Sequence, residues 1–296
     1  MERTLQFFDT HAHNLYRYKN RPFYEQRHEI LKKAYEAGVV KIVNVAIDME
    51  SNFEMLKEFA AYPWESEKDG AISRSAVTKK GEAAQPAAEE SGLPRIGIAI
   101  GEHPLLAGAD NGDITDQQKD EALWALCADK RVCAIKTGLD YSRGEETSKR
   151  QQKRFRRLIQ LSREKGLPLV LHVRDAYEDA LQILEEEADG HPYRGVIHCF
   201  TQGPKLAAQF IEKGFFLGIG GKVTYEKNSE LRETAAVIPL AHLVLETDCP
   251  LIPLHGNKKS SSLDIPAIAQ TIAQLKGISL EQVAEETYQN GEKLFQ

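Results

Sequence analysis

The chain lacks the features that announce several large classes of protein. No apolar run approaches the roughly twenty residues that a membrane-spanning helix needs. The first residues, Met1-Glu2-Arg3-Thr4-Leu5, carry no long apolar core of the kind a secretory leader uses. Cysteine is scarce. Cys127, Cys133, Cys199 and Cys249 are the 4 present, and no two make a Cys-x-x-Cys pair, so the expectation is reduced thiols in a cytoplasmic protein. An excess of positive charge is missing as well: a net charge of -6 argues against a broadly basic nucleic-acid coat, though it leaves room for a local basic patch. The glycine-rich phosphate turn that an open doubly wound sheet carries after its first strand is also absent, and His11-Ala12-His13 stands there instead.

What is present is a repeating rhythm. Short apolar runs alternate with longer amphipathic segments, the pattern of βα units. The strand candidates are 5–9, 41–47, 95–100, 132–136, 168–173, 195–199, 215–220 and 243–247; helical patterns include 22–37, 115–128, 147–165 and 176–188. Two further helices are expected at 264–276, started by Asp264 with Pro266 just inside, and at 279–294, capped by Ser279. Eight strands with intervening helices predict an α/β fold of the (β/α)8 TIM-barrel type, one domain over 1–296. The polar, aperiodic stretch 64–94 reads as an insertion between the second helix and the third strand, in surface-loop composition.

The barrel reading has a consequence for chemistry. Active sites of such barrels lie at the C-terminal ends of the strands. His11 and His13 follow the first run, His103 the third and Lys136 ends the fourth; His172, His198 and Asp248 end the fifth, sixth and eighth. Residues two apart on an extended chain point to one side, so His11 and His13 can aim two imidazoles at one point. Imidazoles and a carboxylate converging on one rim suit one or two divalent ions with a position open for water. Zinc, manganese, magnesium and nickel all remain open. Asp248 is the candidate that both ligates and takes the proton from an attacking water.

Six ordered motifs carry a resemblance. Asp9-Thr10-His11-Ala12-His13, Gly101-Glu102-His103-Pro104, Gly138-Leu139-Asp140-Tyr141, His172-Val173-Arg174-Asp175-Ala176, His198-Cys199-Phe200 and Glu246-Thr247-Asp248-Cys249-Pro250 resemble the TatD family of metal-dependent hydrolases, as does the tail around Thr287, Asn290 and Leu294-Phe295. The resemblance implies a β/α barrel and phosphodiesterase activity, typically a DNase that trims strands from the 3′ end. It also implies that His11, His13 and Asp248 hold one ion while His172 and His198 hold a second.

The chain departs from that pattern at one position. Where the family has a glutamate two residues before Gly-Leu-Asp, bridging the two metals, this chain has Lys136. Three readings follow. Lys136 takes up carbon dioxide to become a bridging carbamate, stands as an amine in place of one metal, or marks a protein that has lost catalysis and keeps binding. Glu102 is a poor substitute carboxylate because alternation turns it away from His103.

The remaining assignments are softer. His103 is expected to contact substrate phosphate or to orient a ligand, and Arg174 to meet phosphate bidentately. Arg17, Lys19 and Arg21, interleaved with Tyr16 and Tyr18, offer a small basic and aromatic loop, although a solvated charged loop has the same composition. Cys199 and Cys249 adjoin ligands but read as small core thiols. The function expected is hydrolysis of phosphodiester bonds at single-stranded DNA ends. The alternatives are lactone, amide or phosphotriester hydrolysis with a carbamylated Lys136, and a binding protein with a degraded site.

Overall fold

The apolar runs all become strands, and the eight strands lie parallel in one sheet in chain order. They are β1 (Phe7–Ala12), β2 (Val39–Val45), β3 (Arg95–Gly101), β4 (Val132–Asp140), β5 (Leu169–Arg174), β6 (Gly195–His198), β7 (Phe215–Ile219) and β8 (Leu243–Leu245). The helices between and after them are α1 (Arg27–Glu36), α2 (Met49–Glu58), α3 (Pro104–Ala107), α4 (Asp116–Leu126), α5 (Ser148–Lys165), α6 (Tyr177–Glu186), α7 (Pro204–Glu212), α8 (Ser229–Val237), α9 (Ile265–Lys276) and α10 (Leu280–Leu294). This computed structural model describes residues 5–15, 25–64, 92–107, 114–144 and 146–296. The loop bearing Tyr16 to Arg21, and the 64–94 segment except at its ends, lie outside those residues. No helix among the described residues is long and apolar enough to cross a membrane.

The ends of the sheet meet between β8 and β1. Asp248 N donates to His11 O and His13 N to Cys249 O, each at 2.8 Å, and Thr10 Oγ1 donates to Leu245 O at 2.9 Å. The barrel is thereby drawn shut where two ligand-bearing segments run side by side.

Alternation along the strands divides the core. Leu169, Leu171, Ile42 and Ile135 face the surrounding helices, while Val43, Val45, Ala134, Val170, Val196 and Val244 face inward. The inward series becomes polar toward the C-terminal ends. Two residues beyond Ala134 is Lys136, beyond Val170 His172, beyond Val196 His198, and beyond Val244 Glu246 and then Asp248. One face of each strand thus supplies both the apolar floor and the polar mouth. In β1 the spacing from Phe8 to His11 is three, and the pairing of β1 with β2 shifts register between Asp9 and Ala12.

Two boundaries differ from expectation. The β1 strand runs on through His11, and β4 continues four residues past Lys136, because its register with β5 holds from Ile135 to Asp140 against Arg174. Lys136 therefore sits within a strand. Gly138 makes the extension possible: at φ +139° it lies so close to β5 that a Cβ there would meet His172 O at 1.9 Å. Asp264 precedes α9 with Pro266 in the first turn, but its carboxylate makes no cap bond to the helix and instead accepts from Ser260 Oγ and Ser261 N, closing the 3-10 turn that Ser261 caps. Ser279 caps α10 in a reciprocal box with Gln282.

Candidate metal centre

The mouth of the barrel gathers most of the residues singled out in the sequence. His11 Nε2 lies 3.3 Å from His13 Nε2, and Asp248 Oδ1 lies 3.8 Å from the first and 3.2 Å from the second. His13 is oriented from behind: its Nδ1 donates to Val45 O at 2.7 Å, which leaves Nε2 with a lone pair. Two imidazole nitrogens and a carboxylate oxygen facing one another form a set of three donors that a metal ion fits. The backbone is bent to allow it, with Asp248 at φ 52° and Cys199, beside His198, at φ 51°, a region non-glycine residues rarely adopt.

A second group forms around His198. Its ring stacks on His11 with centroids 3.6 Å apart, and its Nδ1 lies 3.3 Å from Glu246 Oε1 without hydrogen-bonding geometry. Glu246 Oε1 instead accepts from Cys199 N at 2.6 Å, while Glu246 Oε2, His198 Nδ1 and His11 Nδ1 are buried without partners. Gly218 leaves the space Glu246 occupies, since a Cβ there would stand 2.1 Å from Oε2. Buried polar atoms are nearly always paired, so orphans concentrated at one point mark a missing ligand.

His172 takes a third position. Its Nε2 is hydrogen-bonded to Asp140 Oδ2 at 2.9 Å and its ring packs on His103, centroids 4.3 Å apart. Its centroid is 5.5 Å from that of His198. The groups of three with donor atoms mutually close are His11–His13–Asp248, His11–His198–Glu246 and His103–Asp140–His172. Lys136 is buried (1% exposed) on the inward face of β4, and makes no side-chain hydrogen bond or ion pair among the described residues. Arg174 ends β5, exposed, with its Nε 3.9 Å from Asp175.

Electrostatics favour metal over protons. Burial, reinforced by Lys136 and neighbouring imidazoles, holds His11 and His198 well below the usual histidine range, and burial brings His103 down to about 2. Burial also lowers Lys136, to about 8, against the pull of Asp248 and Glu246. Desolvation raises Glu246 well above an ordinary carboxyl, with Asp248 adding to it. Asp140 goes the other way: burial would raise it, but hydrogen bonds from His172 and Ser142 outweigh that and hold it low. Neutral imidazoles and carboxylates that gain from a nearby cation fit a divalent ion.

A family model for TatD-related DNase matches residues 8–296. The chain belongs to that family. Among its TatD relatives, the metal-dependent hydrolase YcfH of Escherichia coli K12, described as uncharacterized, is 37% identical over 201 residues, covering 67% of this chain and 73% of that one. The 3′-5′ ssDNA/RNA exonuclease TatD of Citrobacter rodentium is 34% identical over 199 residues, 64% of this chain and 75% of its own. Among solved structures, the TatD homologue YjjV of E. coli K12 superposes with a TM-score of 0.77 at 25% identity over 99% of both chains. The TatD fold and metal-dependent hydrolase class follow for this chain.

Sequence reasoning gave no role to Glu246, Asp9 or Asp140, though each lies in a quoted motif. Glu246 had a readable signal, two residues before Asp248 on the same strand line. Asp9 had less: it is buried on Thr247 N and Oγ1 and Ser262 Oγ, partners more than two hundred residues away. Glu102, as alternation suggested, points away from the mouth, to Lys119 Nζ at 2.9 Å and Arg154 Nε at 2.6 Å.

Proposed function

We propose that this chain hydrolyses phosphodiester bonds at single-stranded nucleic-acid ends. The convergence of His11, His13 and Asp248 within 3.2–3.8 Å supports this most directly, and the exonuclease relative favours a nucleic-acid substrate. In this reading those three residues hold a divalent ion, which supplies an acidified water and a counter-charge for phosphate. Asp248 accepts the proton of the attacking water. His103 accepts from Leu105 N at Nδ1, at 3.3 Å, so its neutral ring keeps the proton on Nε2 and uses that N–H to donate a hydrogen bond to a phosphate oxygen. Lys136 stands as a buried cation that offsets phosphate charge, and Arg174 grips the phosphate from the rim. Here the lysine takes the place of a second ion, consistent with His172 being engaged by Asp140.

A second reading rests on the Lys136 side chain having no hydrogen-bond or ion-pair partner among the described residues. An amine lowered to about 8 is partly neutral near pH 7, and a neutral amine adds carbon dioxide to give a carbamate. That group would bridge two ions with His172 and His198, in a site suited to lactone, amide or phosphotriester bonds. One assay separates the two. A labelled single strand is offered beside chromogenic ester and phosphotriester substrates with manganese, magnesium or zinc, and the enzyme is loaded with ¹³C-bicarbonate for carbon NMR. Strand trimming without a carbamate resonance supports the first reading; ester turnover with one supports the second. Bound metal with no turnover of either leaves a binding protein.

A further inference from the structure

The mouth continues into a groove that the metal centre does not use. A cavity of about 650 Å³ opens beside it, lined among others by Thr201, Lys222, Tyr225, Lys227, Leu231 and Ile252. Thr201, Lys222, Leu231 and Ile252 also line the narrow cleft that holds Asp248 and Glu246, so the two are continuous. The groove is assembled from loops after β6, β7 and β8, on the same rim as the ligands.

Its lining carries two lysines and one carboxylate, Glu230. Many cations elsewhere are matched, as in Lys33–Glu29, Arg131–Asp129, Arg156–Glu186 and Lys213–Glu185. Lys222 and Lys227 have no carboxylate partner among the described residues, in a chain whose net charge is -6. Tyr225 is fixed at both ends: its hydroxyl donates to Pro253 O at 3.1 Å, and its ring meets His255 edge-on with centroids 5.2 Å apart. The Lys227 ammonium sits 5.9 Å from the Tyr225 centroid. Asn228, which precedes α8, turns its side chain to Lys222 O at 2.9 Å instead of capping the helix. The helix α8 thus starts without a cap from Asn228, and its first residues, Ser229 and Glu230, line the same groove.

Two ammonium groups without a carboxylate partner among the described residues, Lys222 resting against Cys199, and a clamped aromatic ring, leading away from a metal centre, match the repeat of a single strand: charge on the backbone and a flat face on each base. We propose that this groove carries the part of the strand beyond the scissile bond. Lys222 and Lys227 hold successive backbone phosphates and Tyr225 stacks one base. The proposal rests on the phosphodiesterase reading and adds to it a preference for strands over mononucleotide-sized diesters.

The test uses the metal-loaded full chain and a fluorescent single strand of about a dozen nucleotides with phosphorothioate linkages that resist cleavage. The double variant Lys222→Ala/Lys227→Ala is expected to bind about ten-fold more weakly, and its salt slope to fall by about 1.4, two contacts at roughly 0.7 each. Tyr225→Leu should weaken binding by about ten-fold and Tyr225→Phe should restore it, since the ring does the stacking. Unchanged affinity and slope in the double variant, with strand trimming intact in the parent, would overturn the groove and leave the phosphodiesterase reading standing. A parent that neither binds nor trims strands of any length overturns both.

Discussion

Two buried clusters of charge in this barrel are built on opposite terms. Outside the barrel wall, Glu102 accepts from Lys119 and Arg154, and Asp120 accepts from Arg154 and, at 2.6 Å, from Arg157, so each charge has its opposite. Inside the mouth, among the described residues, Lys136 makes no side-chain hydrogen bond or ion pair, Glu246 keeps one oxygen unbonded and His11 and His198 each leave Nδ1 unmet. The first cluster pairs every charge, leaving Arg154 Nη2 as its one unbonded buried atom among the described residues, and joins α4 and α5 to the end of β3. The second is left open at a cost to stability. A fold accepts such a cost where a ligand is to complete the set, and the contrast therefore locates function without reference to any relative.

The sharpest way to break the contrast is in the mouth itself. His11→Ala or Asp248→Asn should lower turnover by about a thousand-fold or more, by removing an ion ligand, while the far-ultraviolet spectrum of the fold is kept. A variant with near-parental rates would end the metal assignment. The closed cluster should respond in the opposite way. Glu102→Gln leaves Lys119 and Arg154 buried without their carboxylate and should cost about 3–5 kcal/mol in denaturant unfolding, with turnover per folded molecule unchanged. If it instead costs nothing, the network is not fully desolvated and the comparison loses one side.

Asp9 stands between the two kinds. It is buried and fully bonded, yet desolvation raises it from 3.8 to about 6. A carboxyl raised in the folded state binds its proton more tightly there than in the unfolded chain. Stability is then highest below pH 3.8 as far as this group is concerned, and declines as pH climbs to about 6. For the metal-free chain the decline is about 3 kcal/mol at most. Asp9→Asn should flatten that portion of the stability–pH curve, and an unaltered slope would assign it to another group.

Much of this was legible in the residues, for identifiable reasons. Strand periodicity gave the eight-fold rhythm, and the alternation that buries Val170 and Val196 also turns His172 and His198 inward, so the rim could be read from spacing. Two things resisted. The length of β4 past Lys136 depends on Gly138 approaching β5, a close contact between elements that a single segment does not display. The partner of His172 depends on Asp140 meeting it from the neighbouring strand, a contact that spacing within one segment does not display. Asp9 was hidden for the same reason, its partners being at the other end of the chain.

The smallest effect is the most discriminating. In the closed cluster every substitution should destabilise, but in the open one removing the unmet charge should help. Lys136→Met keeps the length and volume of the side chain while deleting a buried amine without a partner. The metal-free variant should gain about 1–2 kcal/mol, seen as a rise of roughly 2–4 °C in Tm per kcal/mol for a chain of this class. A loss of stability would mean that the lysine already has what the mouth otherwise lacks, and carbamylation would be the first thing to look for. Lys136→Glu divides the cases further. It supplies the bridging carboxylate of the family, so it should raise metal stoichiometry if the lysine merely fills the place of an ion. It should leave stoichiometry unchanged if a carbamate was bridging there from the start.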